Sequence, residues 1–296
     1  MRPGRPDDQA AFIRLLETEA VEGRRETAPG PWMARALAGF DWASRSRVVS
    51  APGGELTGAV VVTNRTYDVG TITRIQVAIA SARDLDLRRR LVDWGLGLSR
   101  AAGAAAAQVW LPRGAGAELS ALGLEPVRPW WRMDRDLRGE LPDIQPVRDY
   151  RLLVGAAVPP GVWADAHNRA FADHWRYSLR TEDELMTGRE PELCLLAVDG
   201  DGLAAAITLG QLQSNEHDAR AQPVGIVNSV GTIPAHRRRG LARWLVTELL
   251  PRLRRAGAAS ASLYVDGLNS TGAPRLYRDL GFEVAFESEV WEATFP

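Results

Sequence analysis

Apolar residues recur at two periods along this chain, and the switches between them mark its elements. Leu241, Leu245, Leu249 and Leu253 form one stripe of a helix predicted over about 240–255. Trp130-Trp131-Arg132-Met133-Asp134-Arg135-Asp136-Leu137 alternates instead, as a strand does. From residue 147 the pattern predicts a strand over 147–154, then helical segments over 160–172 and about 181–188. Strands follow over 193–199, 203–213 and 224–233, with Asp199-Gly200-Asp201-Gly202 as a tight hairpin between the first two. After the 240–255 helix come a strand at 260–266, a short helix at 270–279 and a last strand at 282–293. The earlier residues have the same outline, with a helix over 7–21 and a hairpin at Pro52-Gly53-Gly54.

That likeness is a repeat. Leu91-Val92-Asp93-Trp94 and Leu245-Val246-Thr247-Glu248 lie 154 positions apart. Arg100-Ala101-Ala102-Gly103 against Arg254-Arg255-Ala256-Gly257 keeps the offset, as does Gln108-Val109-Trp110-Leu111 against Ser262-Leu263-Tyr264-Val265. Leu122-Gly123-Leu124-Glu125 then answers Leu280-Gly281-Phe282-Glu283 at 158. Four matches in order predict two tandem copies of one α+β module, each a mostly antiparallel mixed sheet flanked by helices. Residues 138–146 carry the glycine and prolines of a linker, so the division expected is 1–138 and 147–296. A chain of 296 residues accommodates two domains of about 150.

Composition narrows the function. With 45% hydrophobic and 25% charged residues the chain is globular, and its formal net charge of −1 gives no global field for nucleic acid or an anionic membrane. All 36 basic residues are arginine, a mark of coding bias that also removes Schiff-base and lysine-nucleophile chemistry. The single cysteine, Cys194, sits in an apolar run and reads as a buried core residue, so no intrachain disulfide is possible. The N-terminus carries charge where a signal peptide is apolar, and the 104–107 alanine run is too short to span a bilayer, so a cytoplasmic location is expected. Glu216, His217 and Asp218 lack paired ligand spacing, and no metal is expected. Trp32, Trp42, Trp130 and Trp131 read as core rather than as a ligand cage.

The densest chemical signal is Val230-Gly231-Thr232-Ile233-Pro234-Ala235-His236-Arg237-Arg238-Arg239-Gly240-Leu241-Ala242, where a strand ends in an arginine-rich turn that opens into a helix. A helix's first turn has unpaired N–H groups and a partial positive charge. Gly240 permits close backbone approach and Ala242 keeps the face clear, so a pyrophosphate or similar anion is expected there.

Arg237-Arg238-Arg239-Gly240-Leu241-Ala242 resembles the acyl-CoA loop of the GCN5-related N-acetyltransferases. Leu263-Tyr264-Val265-Asp266, Asn269 and Leu276-Tyr277-Arg278-Asp279-Leu280-Gly281-Phe282 resemble that family's downstream signature, in family order and spacing. The doubled arrangement looks most like the tandem branch of the family, the mycothiol synthases and their relatives. The resemblance implies direct transfer from acetyl-CoA to a small-molecule amine. Backbone amides from Arg237 through Arg243 would take the pyrophosphate, and amides near Val230, Gly231 and Thr232 would polarise the thioester carbonyl. Asn269 and Arg275 would hold the CoA arm, and Tyr277 would protonate the departing thiolate, its bland reading being a core aromatic.

Departures from that branch matter equally. Its glutamate one residue after the glycine matching Gly225 is Ile226 here, and 209–211 reads Leu-Gly-Gln where a basic residue is expected. Tyr264, by contrast, matches a substrate-facing tyrosine; with the other two ligands missing, a different acceptor is implied. The base stays unassigned: His174 is a candidate through water, with His167 and Asp173 nearby, while Asp173 and His174 read equally well as a helix-end pair. Asn228 and Ser229 are placed to orient a water. In the first copy, Arg237, Gly240 and Ala242 fall on Arg83, Asp86 and Arg88, and Tyr277 on Leu119, so that copy is expected to bind no CoA and to serve structurally, closing one wall of the acceptor cleft. The alternative for the whole chain is an inactive CoA-binding sensor or scaffold.

Overall fold

The computed structural model describes residues 1–26, 33, 37, 39–213 and 222–295. Twelve strands form one sheet: β1 (Arg2–Pro3), β2 (Ser46–Ser50), β3 (Leu56–Tyr67), β4 (Gly70–Ile79), β5 (Ala106–Pro112), β6 (Glu125–Asp136), β7 (Arg151–Val154), β8 (Cys194–Val198), β9 (Ala204–Gln213), β10 (Val224–Thr232), β11 (Ser260–Asp266) and β12 (Glu283–Thr294). Their spatial order is β1-β2-β3-β4-β5-β12-β6-β11-β10-β9-β8-β7. Among the described residues, only β4–β5 and β10–β11 run parallel. The helices are α1 (Gln9–Val21), α2 (Trp42–Arg45), α3 (Leu85–Ala101), α4 (Val162–Phe171), α5 (Glu182–Met186), α6 (Leu241–Arg255) and α7 (Ala273–Asp279).

The repeat is real in three dimensions. Strand β4, helix α3 and strand β5 in the first copy have the roles of β10, α6 and β11 in the second. The leucine stripe Leu241, Leu245, Leu249 and Leu253 is fully buried against the sheet, each side chain contributing roughly 1.5–3 kcal/mol. Leu87 and Leu91 of α3 do the same in the first half. On the opposite face, Trp163, Ala166 and Ala170 of α4 cover the second half, and Phe12 and Leu16 of α1 cover the first.

The last strand of each copy is exchanged. β6 pairs with β11 of the second copy, and β12 pairs with β5 of the first; the two also pair with each other at the centre. Each half is therefore completed by a strand from the other copy, and the sheet runs across both without an edge between them.

Local boundaries differ where turn chemistry intervenes. The strand expected from 147 begins at Arg151, because Asp149 adopts φ +69° in a turn. The helix expected from 270 begins at Ala273, after Gly272 at φ +85°. Cys194 is buried as expected, and burial pushes its thiol up to about 11. Trp42 is core, whereas Trp32 lies outside the described residues, as do Glu216, His217 and Asp218.

Candidate active site

Strands β10 and β11 pair only over Val224–Val227 against Ser260–Leu263. From Asn228 onward β10 has no ladder partner on that side, and a register break against β9 between Asn228 and Gly231, with Ser229 at φ +48°, bends it away. The strands thus splay, and residues 228–232 line a cleft of about 940 Å³. Gly231 is forced at its position: a Cβ would stand 2.5 Å from the Phe171 ring and 2.9 Å from Ala170 Cβ.

At one end of this cleft lies the start of α6. Gly240, at φ +87°, is its N-cap and offers no side chain, so the first N–H groups of the helix are uncapped. Gly240, Leu241, Ala242, Arg238 and Arg243 line this end, with Arg275 across from them on α7. Leu241 contributes backbone only, its side chain being core. Arg243 also pairs with Asp279 at 3.1 Å.

Two arginines of the loop do not serve the cleft as charges. Arg237 donates through Nε to the Thr232 carbonyl, and through its terminal nitrogens to the Ala170 carbonyl and both Asp173 oxygens at 2.6 and 2.8 Å. Arg239 turns to the other side, donating to the Tyr150 hydroxyl at 3.0 Å, which also meets His236 Nδ1 at 3.0 Å. Asp173 is correspondingly tied up as a structural partner, and Arg237's guanidinium hydrogen bond holds its carboxyl below the usual range. Asp173 and Arg237 both line the cleft, their side chains joined to each other there.

The first half shows the contrast. There the helix start is capped from within: the Asp84 carboxylate accepts from Leu87 N–H at 3.0 Å, closing the site with negative charge. Asp86 is exposed and paired with Arg89, and Arg88 with Glu118. Leu119, in the place of Tyr277, is buried core.

At the foot of the cleft Tyr277 is 6% exposed, set edge-on to Phe282 with centroids 6.0 Å apart. It lines the cleft, and burial raises its pKa, so the phenol stays protonated. Asn269 also lines it, its amide oxygen accepting from Thr271 N–H and Oγ1 at 2.9 and 2.5 Å. Asn228, Tyr264 and His174 also line the cleft. His174 packs edge-on to Phe171 at 4.6 Å, and burial lowers its pKa, as it does for His167. His167 stacks on Phe171 and stays outside the cleft lining.

Among the lining residues that the sequence pattern does not single out are Trp130 from β6, Trp175, and Asp266 at the end of β11. Trp130 reads from the sequence as core, and the structure sets it in the cleft lining. Alternation along β6 puts Trp131 and Met133 on the α6 side and Trp130 on the cleft side, a signal present in the sequence. What the sequence lacked was that β6 lies beside β11. Among the described residues no group of three or more His, Cys, Asp or Glu is arranged to hold a metal, and no helix is long and apolar enough to cross a membrane.

A doubled α+β module, with two parallel strands splayed over an uncapped helix start, is an acetyltransferase architecture. A family model described as the acetyltransferase (GNAT) family matches residues 161–282. A mycothiol acetyltransferase of Catenulispora acidiphila is 32% identical over 256 residues, 81% of this chain and 78% of that one. Another from Kytococcus sedentarius is 32% identical over 175 residues, covering 55% and 56%. In structure, a GCN5-related N-acetyltransferase from Sphaerobacter thermophilus superposes with TM-score 0.79 at 26% identity, over 99% of this chain and 94% of that one. A tandem GNAT protein from the clavulanic acid biosynthesis pathway shares the fold, with TM-score 0.67 at 17% identity over 100% and 98%. The chain belongs to the GNAT family and is an N-acetyltransferase of that type.

Proposed function

We propose that the chain transfers the acetyl group of acetyl-CoA to the amine of a small molecule, in the cytoplasm, from a catalytic unit formed by residues 147–296. The observation that carries this is the difference between the two helix starts: α6 opens with Gly240 and free N–H groups, whereas α3 is closed by Asp84. Residues 1–138 are the non-catalytic unit, and they lend β6 to the catalytic one.

In this reading the diphosphate of CoA rests on the N–H groups of Gly240–Arg243, with Arg238, Arg243 and Arg275 supplying charge. The pantetheine arm lies in the gap beside Asn269. The acetyl carbonyl meets N–H groups of Val230–Thr232, the stretch with no ladder partner on the β11 side, which stabilise the oxyanion as the amine attacks. His174, neutral because it is buried, takes the ammonium proton through water ordered by Asn228. A C–N bond forms, the C–S bond breaks, the thiolate takes the Tyr277 phenol proton as it leaves, and the second proton shed by the acylated nitrogen returns through water to the Tyr277 oxygen. No metal enters the scheme.

The relatives' printed names suggest mycothiol-type acceptors; Ile226, buried opposite Gln211 on β9, supports a different one. The test is Tyr277→Phe, an acceptable shape beside Phe282. Acetyl-CoA-dependent turnover should drop roughly 10²-fold with CoA affinity held. Unchanged turnover would remove Tyr277 from the mechanism, and a chain that binds CoA and acetylates nothing would be a sensor instead.

A further inference from the structure

The acceptor end of the cleft is aromatic and electrically closed. Trp130 and Trp175 are half-buried and both line it, together with Tyr264 and His174. Its two carboxylates already have partners. Asp173 holds Arg237, and Asp266 accepts from Arg128 at 2.7 Å and from Leu268 N–H at 2.8 Å. Among the described residues, this end of the cleft therefore offers no unpaired carboxylate to a polycation, and Ile226 stands buried on the strand that carries Asn228.

The aromatic walls are also fixed in place. The Trp175 ring lies against two guanidinium groups, Arg128 at 5.0 Å and Arg176 at 5.5 Å. Arg128 is anchored by Asp266. Arg176 is anchored by Glu292, a buried β12 carboxylate that also accepts from Gln108 at 2.7 Å. Trp130 is set edge-on to Trp110, centroids 5.2 Å apart, and Arg74 covers Trp110 at 4.4 Å. Every anchor but Arg176 comes from β4, β5, β6, β11 or β12, so the strand exchange builds this wall. The 175–178 segment is also tied to the β3–β4 hairpin, where Asp68 N–H donates to the Tyr177 carbonyl and Arg65 to the Ser178 hydroxyl.

We infer that Trp130 and Trp175 select the acceptor, and that it is a primary amine carried on a flat aromatic or heteroaromatic body rather than on an amino sugar or a polyamine. This rests on the transferase reading above. A planar ring offers apolar faces to both indoles, and needs no charged partner beyond the reacting nitrogen.

The experiment uses the full chain. Acetyl-CoA binding is measured by calorimetry, then free-thiol release is followed with tryptamine, 2-phenylethylamine, glucosamine and spermidine as acceptors. The aromatic amines should exceed the others in kcat/KM by about tenfold or more. Trp175→Ala should erase that advantage mainly through KM, Trp175→Phe should restore most of it, and both should hold CoA affinity within about twofold. Glucosamine or spermidine preferred, no amine in the panel acetylated while acetyl-CoA binds, or an aromatic preference untouched by Trp175→Ala would each overturn the inference while leaving the CoA site standing. A chain that neither binds acetyl-CoA nor acetylates any amine overturns the transferase reading itself, and this one with it.

Discussion

Placing a carboxylate at Gly240 should convert the live helix start into a closed one. Gly240 sits at φ +87°, and a Cβ there meets nothing nearer than Val147 Cγ2 at 3.8 Å. Space is therefore not the obstacle, and Gly240→Ala should cost about 1–2 kcal/mol of stability through its left-handed backbone alone. Gly240→Asp adds a negative charge on the order of 5 Å from a bound diphosphate. At an effective dielectric near 20, each like-charge pair then costs about 3 kcal/mol. That is about two orders of magnitude in Kd. The assay is calorimetric titration with CoA at two salt concentrations, alongside thermal melts of all variants. Gly240→Asp should weaken binding about 100-fold, less so at high salt, while Gly240→Ala binds within a few-fold of the parent. Asp86→Ala in the first half removes only an exposed carboxylate and should change nothing. If Gly240→Asp binds CoA within about threefold of the parent, the N-terminus of α6 is not the anion site.

Two further predictions concern pH and the wall that joins the halves. Burial lowers the pKa of His174 and His167 below the ordinary imidazole value of 6.5, so the unfolded chain binds more protons just below that value. Folding stability should therefore decline as pH falls through 6.5, and kcat/KM should show an acid limb lying below 6.5; His174→Gln should abolish that limb, and a limb that persists would remove His174 as base. Glu292→Ala strands the half-buried Arg176 guanidinium and the buried Gln108 amide and should destabilise the fold by about 3 kcal/mol in urea titrations, while a loss under about 1 kcal/mol would show the pair to be incidental.

Much of the site was legible because its parts are local. A helix start, its small residues and the arginine turn occupy 237–243, and the tyrosine before the Leu280-Gly281-Phe282 turn lies on one short helix. Near-neighbour sequence settles such features, since φ at Gly240 and the free N–H groups of α6 depend on few distant contacts. The capped helix start of the first copy is equally local: the Asp84 carboxylate accepts from the N–H of Leu87, three residues on.

The sequence by itself determined the doubled module, the buried leucine stripe of α6, the closed helix start of the first copy and the open one of the second. Only the tertiary structure decided which strands became neighbours, and with them the acceptor wall. Alternation shows the two faces of β6, yet a strand of either copy satisfies the same hydrogen-bond ladder, so the exchange of β6 and β12 is set by packing of the assembled sheet. The same holds for ion pairs spanning 64 residues at Arg237–Asp173 and 116 at Arg176–Glu292. In a chain whose 36 basic residues are all arginine, composition offers every carboxylate many equivalent partners, and distance in the folded state alone chooses among them.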